Sequence, residues 1–269
     1  MWHSRTWTDD GRAVTRTLII PMYREHGRIS RSVERLAGSM LDAPDVEMVF
    51  VDDGSDDGTF AAVEALCDEH DLRALIIRLP ENRGKGAAIA AGVAVARGAA
   101  VVFTDADLST SVADIAACFT TIEAGHVDIV VASRAHAESV IESDGPLRRQ
   151  LIGRGYNSLL RTLGLTSLRD TQCGLKGFRR EVAVLLFGDL KVPGFGFDIE
   201  VLAKAERHGW RIEELPVQWE YVAQSRVRPV RDSVRMCRDA LAVRRAVRAP
   251  SAAPIDLRDP VTAESATSP

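Results

Sequence analysis

Cysteine is scarce in this chain, and the scarcity excludes two kinds of site. Cys67, Cys118, Cys173 and Cys237 lie far apart with no CxxC pair, which supports neither a zinc site nor a disulfide framework and fits a reducing compartment. The six histidines show no ligand spacing. No GxxxxGK[ST] string occurs, so a P-loop nucleotidase is excluded on pattern. No run approaches the roughly 18 consecutive apolar residues of a spanning helix. The polar first 17 residues lack the apolar core of a signal peptide. Membrane contact is therefore expected to be peripheral. The basic stretches lack interleaved aromatics, so nucleic acid is not an expected partner.

What is present suits one large domain. The chain has 269 residues, of which 46% are hydrophobic, enough to fill a sizeable core. The net charge of −4 hides an asymmetry: residues 144–248 carry 20 Lys and Arg against 12 Asp and Glu, and the remainder 14 against 26. A basic second half points to an anionic partner: phosphate, a membrane surface or nucleic acid, the last disfavoured above.

Short apolar runs alternate with helical spacing. Strands are expected at 17–21, 46–52, 74–79, 101–104 and 128–132, with helices at 29–41, 59–70, 87–97 and 112–124. Such alternation indicates βαβ units and a parallel sheet, whose ligands bind beyond the carboxyl ends of the strands. The second half reads less regularly: a basic helix over 146–164, strand-like pieces near 175–179 and 211–219, and a helix over 231–247. Pro, Ala, Ser and Thr dominate from 249 onward, and a disordered tail is expected there.

The most informative residues are Asp105 and Asp107, at the end of the run Ala99-Ala-Val-Val-Phe-Thr-Asp-Ala-Asp107. A carboxylate at the tip of a buried strand is costly unless paired or metal-bound. Two such groups suit Mg2+ or Mn2+, which complete their coordination with substrate phosphates. Val51-Asp-Asp-Gly-Ser-Asp-Asp-Gly-Thr59 ends another strand. Ser55, Asp56 and Asp57 fit a turn and a helix cap, whereas Asp52 or Asp53 can accept from the N–H of a base. Gly84-Lys-Gly86 opens a helix after a strand. With Ile89 at the third position of a dinucleotide fingerprint, it reads better as a loop bringing Lys85 and backbone N–H groups to a phosphate.

Ile20-Pro-Met-Tyr-Arg-Glu25, Val51-Asp-Asp-Gly-Ser55, Asn82-Arg-Gly-Lys-Gly86 and Asp105-Ala-Asp107, in this order, resemble glycosyltransferase family 2. Asp170-Thr-Gln-Cys-Gly-Leu-Lys-Gly-Phe-Arg179 and Gly194-Phe-Gly-Phe-Asp-Ile-Glu200 look like the branch that makes polyprenyl- and dolichyl-phosphate sugars, the β-glucosyltransferases above all. The resemblance implies a single α/β domain of the GT-A (Rossmann-like) class over 16–248, with a mixed, mainly parallel sheet flanked by helices. Residues 1–15 would be a flexible N-terminus, 16–135 the nucleotide–sugar half and 136–248 the acceptor half. Pro21, Tyr23 and Glu25 would line the base and ribose, with Asp52 or Asp53 holding the base and Lys85 near the diphosphate. Asp105 would face the ribose and sugar, and Asp107 would be the principal metal ligand. Asp170, Gln172 and Lys176 would shape the sugar and acceptor pocket, with Asp198 nearby.

The implied activity is inverting transfer of a hexose, glucose from UDP-glucose, to a polyprenyl or dolichyl phosphate at the cytoplasmic face of the membrane. A hydroxyl acceptor would need a base, and Asp170 or Asp198 is the candidate. A phosphate acceptor, already ionised, needs a cationic clamp, for which Arg134, Arg148, Arg149, Lys176 and Arg226 are candidates. GDP-mannose as donor, a soluble acceptor, and a catalytically silent nucleotide–sugar-binding protein are the competing readings.

Overall fold

The computed structural model describes residues 3–5, 13–142, 147–194, 196–220, 238–245 and 247. Its elements run in the order His3–Arg5 (β1), Arg16–Met22 (β2), Ile29–Leu36 (α1), Val46–Asp52 (β3), Thr59–Glu69 (α2), Ala74–Arg78 (β4), Lys85–Val95 (α3), Ala100–Phe103 (β5), Val112–Glu123 (α4) and Ile129–Ala132 (β6). Then come Val140–Ile141 (β7), Leu147–Thr162 (α5), Lys176–Arg179 (β8), Arg180–Gly188 (α6), Phe197–Arg207 (α7), Ile212–Leu215 (β9) and Gln218–Trp219 (β10). Residues 238–245 are again helical.

One eight-stranded sheet has the order β1-β4-β3-β2-β5-β8-β6-β9. Strands β4, β3, β2 and β5 are mutually parallel. Strand β8 is antiparallel to both β5 and β6, between which it lies. Successive strand residues alternate between faces. Leu18, Ile20, Met22, Met48, Phe50 and Val102 join one apolar layer with α1, α2 and α4. Ile19, Val49, Val51, Val101 and Phe103 join a second with α3, α6 and α7. A smaller cluster joins α5, α7 and the 238–245 helix through Leu160, Ile199 and Ala240.

The expected strands and the first four helices are present, with shifted ends. The first helix stops at Leu36 rather than 41, because Ala37 is extended and Gly38 takes a positive φ. Residues 3–5, read as part of a flexible arm, add an antiparallel edge strand to β4. Helices α6 and α7 were not anticipated. Both are short and follow stretches that read as loops. The expected tail from 249 and the first part of the expected terminal helix (231–237) lie outside the described residues, as do Arg226 and the side chains of Arg148 and Arg149. Among the described residues no helix is long and apolar enough to cross a membrane.

Strand β8 is what gathers the site. Its Lys176 pairs in register with Phe103 of β5 on one side and Val131 of β6 on the other. The chain entering β8 (170–175) therefore meets the chains leaving β5 (104–110) and β6 (133–139) at one edge. The opposite edge is secured separately. There the buried Glu47 accepts from Thr17 Oγ1 (3.0 Å), Arg97 N (3.0 Å) and Arg97 Nε (2.7 Å). Replacing Glu47 with Ala leaves these donors without their acceptor. We expect a loss of about 2 kcal/mol in urea unfolding, discounted for the partly exposed Arg97, with ligand affinity at the other edge unchanged.

Candidate active site

The first part of the site is a rim of braced turns. The Arg24 backbone takes a positive φ of 55° after β2. Its N–H donates to Ser55 Oγ at 2.8 Å, and its guanidinium forks onto Asp56 at 2.7 and 2.6 Å. The Glu25 N–H donates to Thr59 Oγ1, and its carboxylate pairs with Arg28. Tyr23 and Glu25 are thus strapped to the turn after β3, beside Pro21, which pairs with Val51. Asp53 is buried and accepts from Asn82 Nδ2 (2.9 Å), Arg83 N (2.8 Å) and Gly84 N (2.8 Å). Burial pushes its carboxyl up despite these bonds. Asp52 is fully buried. It accepts from the Ser55 backbone and hydroxyl, and its Oδ2 lies 3.5 Å from Arg78 Nε without a hydrogen bond. Both acids brace the rim, and neither faces open space.

The second part is a set of acids, most of them matched to cations. Lys85, the first residue of α3, pairs with Asp105 and lies 5.8 Å from the centroid of the Phe197 ring. Burial would raise the Asp105 carboxyl, but Lys85, Lys176 and Arg134 together hold it below the usual carboxylate range. Gly174 lies directly behind Asp105: a Cβ there would collide with the carboxylate. Lys176 is 1% exposed. Its ammonium is 2.8 Å from Asp198 Oδ1, donates to Cys173 O at 2.7 Å and lies over the Phe103 ring. Burial raises the Asp198 carboxyl, against the pull of Lys176 and Lys85.

Asp170 occupies the fork of Arg134: Nε donates at 2.7 Å and a terminal nitrogen at 2.9 Å, with the Arg134 and Gln172 N–H groups adding to the same carboxylate. Burial opposes ionisation, but Arg134 outweighs it and holds Asp170 below the usual range. Burial lifts the Cys173 thiol to about 11, and at 1% exposure it is a poor nucleophile at neutral pH.

Asp107 differs from its neighbours. It accepts from Ser109 N at 3.1 Å, and no ion pair with a basic side chain is found for it among the described residues. Burial, and then the adjacent Asp105 charge, push its carboxyl up. Its loop is braced from α1, where Ser32 donates to Ala106 O (2.6 Å) and Arg35 to Leu108 O (2.8 Å). Leu108 takes a positive φ of 45°, an uncommon conformation for a branched side chain that needs such bracing. Among the described residues there is no group of three or more acids, histidines or cysteines suited to a metal. Two carboxylates remain, which fit a Mg2+-like ion completed by a bound diphosphate.

The structure brings Asp105, Asp107, Lys85, Lys176, Asp198, Asp170 and Arg134 to one edge, with Pro21, Tyr23, Glu25, Asp52 and Asp53 on the neighbouring rim. The reading of residues alone missed the ion pairs themselves, and missed Gly174, Phe197 and Trp219. Gly174 lies inside a quoted motif. Trp219, over whose ring the Arg134 guanidinium sits at 5.4 Å, carries no local signal.

A family model described as glycosyl transferase family 2 matches residues 17–186. The chain is 30% identical over 257 residues to the dolichyl-phosphate beta-glucosyltransferase of Saccharomyces cerevisiae, covering 88% of this chain and 76% of that protein. A mannosyltransferase from Pyrobaculum calidifontis in complex with GDP-Man and Mn2+ matches with TM-score 0.63 at 22% identity, covering 95% of this chain and 70% of the other. Glucosyl-3-phosphoglycerate synthase from Mycobacterium tuberculosis, with Mn2+, UDP-Glc and phosphoglyceric acid, matches with TM-score 0.62 at 22% identity, covering 91% and 86%. The two structures establish a shared fold.

The Lys176–Asp198 pair gives a direct test of the packing. Asp198→Ala strands a buried ammonium and should cost about 3–5 kcal/mol, read as a lowered urea midpoint. The double replacement Lys176→Met with Asp198→Leu should recover most of that stability. Failure to recover would show that the pair is not the source of the loss.

Proposed function

Since this chain belongs to glycosyl transferase family 2, we propose that it transfers glucose from UDP-glucose to a polyprenyl or dolichyl phosphate, with inversion at the anomeric carbon. The observation that carries this reading is the pairing of the acids. Asp105, Asp170 and Asp198 are each held by a cation, while among the described residues Asp107 has no such ion pair.

Asp170, locked in the Arg134 fork and easily ionised, is a poor general base. Asp198 keeps more basicity but faces a buried lysine. A hydroxyl acceptor is served badly by such a set. A phosphate monoester, whose second pKa is about 6, arrives ionised and needs only alignment and charge. Arg134 lies beside the site for that purpose, with Arg148, Arg149 and Arg226 as further candidates on the acceptor side.

The donor reading rests on the other half. Asp107, with Asp105 beside it, would hold Mg2+ or Mn2+. The metal would neutralise the charge that grows on the departing diphosphate. Helices α3 and α7 both begin at this edge, where Gly86 and Phe197 are packed so closely that a Cβ on Gly86 would clash. Helix N-termini favour phosphate. Asp53 fixes the 82–84 loop that leads into α3. Pro21, Tyr23 and Glu25 would present the base side, on a rim that the buried Asp52 and Asp53 brace from behind rather than by contacting the base. Attack in line behind the leaving group turns an α-linked donor into a β-linked product.

Leu159 of α5 and Leu241 of the 238–245 helix are exposed, and Arg161 and Arg245 are exposed on the same two helices. Apolar side chains beside arginines suit the headgroup region of an anionic bilayer, and we place the protein peripherally at the cytoplasmic face.

The test is incubation with UDP-glucose labelled in the sugar, Mn2+ and polyprenyl phosphate, followed by organic extraction. Label in the organic phase is the expected result. Label confined to the aqueous product would overturn the lipid acceptor, and transfer from GDP-mannose alone would overturn the donor. Asp107→Asn should reduce turnover at least about 100-fold with an unchanged melting profile. Near-normal activity across metals would remove the role assigned to Asp107.

A further inference from the structure

The segment 217–220 joins two parts of the site that are far apart in sequence. On one side it holds the Asp107 loop. Glu220 N donates to Ser109 O at 3.0 Å, Trp219 forms an antiparallel bridge with Thr110, and Gln218 N donates to Asp114 Oδ2 at 3.1 Å. Ser109 is the residue whose N–H donates to Asp107. On the other side it holds the chain leaving β6. Strand β10 pairs in parallel with β7, the Glu142 N–H donates to Trp219 O at 3.0 Å, and Val217 N donates to Ser139 Oγ at 3.0 Å. Ser139 donates in turn to Ser133 O at 2.6 Å, next to Arg134. The Trp219 ring, half-buried against the core layer of α1, α2 and α4, closes the connection by carrying the Arg134 guanidinium on its face.

Arg134 is thus constrained in two directions: Asp170 fixes the plane of its fork, and Trp219 fixes its height above the sheet. An arginine stacked on an aromatic face keeps its charge and loses little further freedom when an anion arrives. We propose that Trp219 is a positioning residue that sets Arg134 and the Asp107 loop as one unit. Trp219 itself touches neither reacting phosphate. The inference deepens the proposed function and rests on it, since Arg134 is taken to face the acceptor phosphate and Asp107 the metal.

The experiment compares Trp219→Leu with Trp219→Phe in the full-length chain. Mn2+ binding is read by the free-ion paramagnetic resonance signal with UDP present, and KM is measured separately for UDP-glucose and polyprenyl phosphate. Trp219→Leu should raise both the Mn2+ concentration for half-saturation and the acceptor KM about fivefold, and leave the UDP-glucose KM unchanged at saturating Mn2+. Trp219→Phe, which keeps a ring face, should restore both to within about twofold. A purely structural role would shift the melting temperature and move all three constants together or none, and either pattern overturns the proposal. If Trp219→Leu fails to fold, Trp219→Met, which also removes the ring face, carries the test in a cycle with Arg134→Lys. Non-additive effects on acceptor KM are expected, and simple additivity overturns the coupling. A wild-type chain that binds no Mn2+ with UDP overturns the metal reading and this inference together. Wild-type binding that Trp219→Leu leaves unaltered overturns this inference alone.

Discussion

One buried ammonium organises this edge of the sheet. Lys176 enters the core on the single strand that runs against both its neighbours, and at 1% exposure it cannot be solvated by water. A charge so placed must be surrounded by acceptors. Asp198 and the Cys173 carbonyl meet that need directly, and the Phe103 ring lies beneath. The consequences spread outward. Asp198 must stand at the start of α7, which draws Phe197 over Gly86 in the first turn of α3. Cys173 O must face inward, which turns Gly174 against Asp105. Asp105 must then find its own cation, and Lys85 on α3 supplies it. Four of the eight phenylalanines form the floor below, with the rings of Phe103, Phe178, Phe187 and Phe197 5.7 to 6.2 Å apart. This low-polarity floor strengthens every electrostatic interaction above it.

The same matching explains what the site is prepared to receive. Among the described residues, Lys85, Lys176 and Arg134 neutralise three of the four carboxylates, and the surplus negative charge sits on Asp107. A bare diphosphate meeting that surplus would be repelled. A diphosphate that carries a divalent cation would be complementary to it, because the ion bridges the two negative partners. Burial and a neighbouring acid push the Asp107 carboxyl up, and a divalent ion beside it would favour its ionised form. The pairing elsewhere has the opposite effect: Asp170 and Asp105 remain ionised and fixed in direction.

Much of this was legible in the order of residues. Strand periodicity located β2 to β6, and the acids at their ends marked the ligand-binding edge, because an ionised tip on an apolar strand is costly enough to need a reason. The resemblance supplied the second half, where periodicity fails. Helix α6 escaped notice because it has only nine residues, and α7 because its buried positions far outnumber its exposed ones, so the amphipathic signal is weak. Residues Phe197 to Val201 of α7 are all buried, two carboxylates among them. The ion pairs were illegible for a different reason. Arg134 and Asp170 lie 36 positions apart and Lys85 and Asp105 20 apart, so no local pattern couples them. The insertion of β8 between β5 and β6 brings Arg134 to Asp170, and an antiparallel strand in a mainly parallel sheet leaves no trace in spacing.

That insertion also explains why acceptor-side residues come from scattered segments. The groups proposed for the donor side sit in the turns just past the ends of parallel strands joined by helical crossovers, so four compact motifs suffice for them. On the other side the chain leaves β6, travels through α5, returns through 170–176, crosses the sheet's second face in α6 and α7, and comes back at 217–220 beside the Asp107 loop. Each return is held by a polar contact with an earlier one: Asp170 with Arg134, Asp198 with Lys176, Glu220 with Ser109. A shift in any one of these segments must move its partner. Under the proposed function, selectivity for the acceptor would depend on how the returns are registered against each other, and a substitution at one of the joints would alter it without touching either substrate.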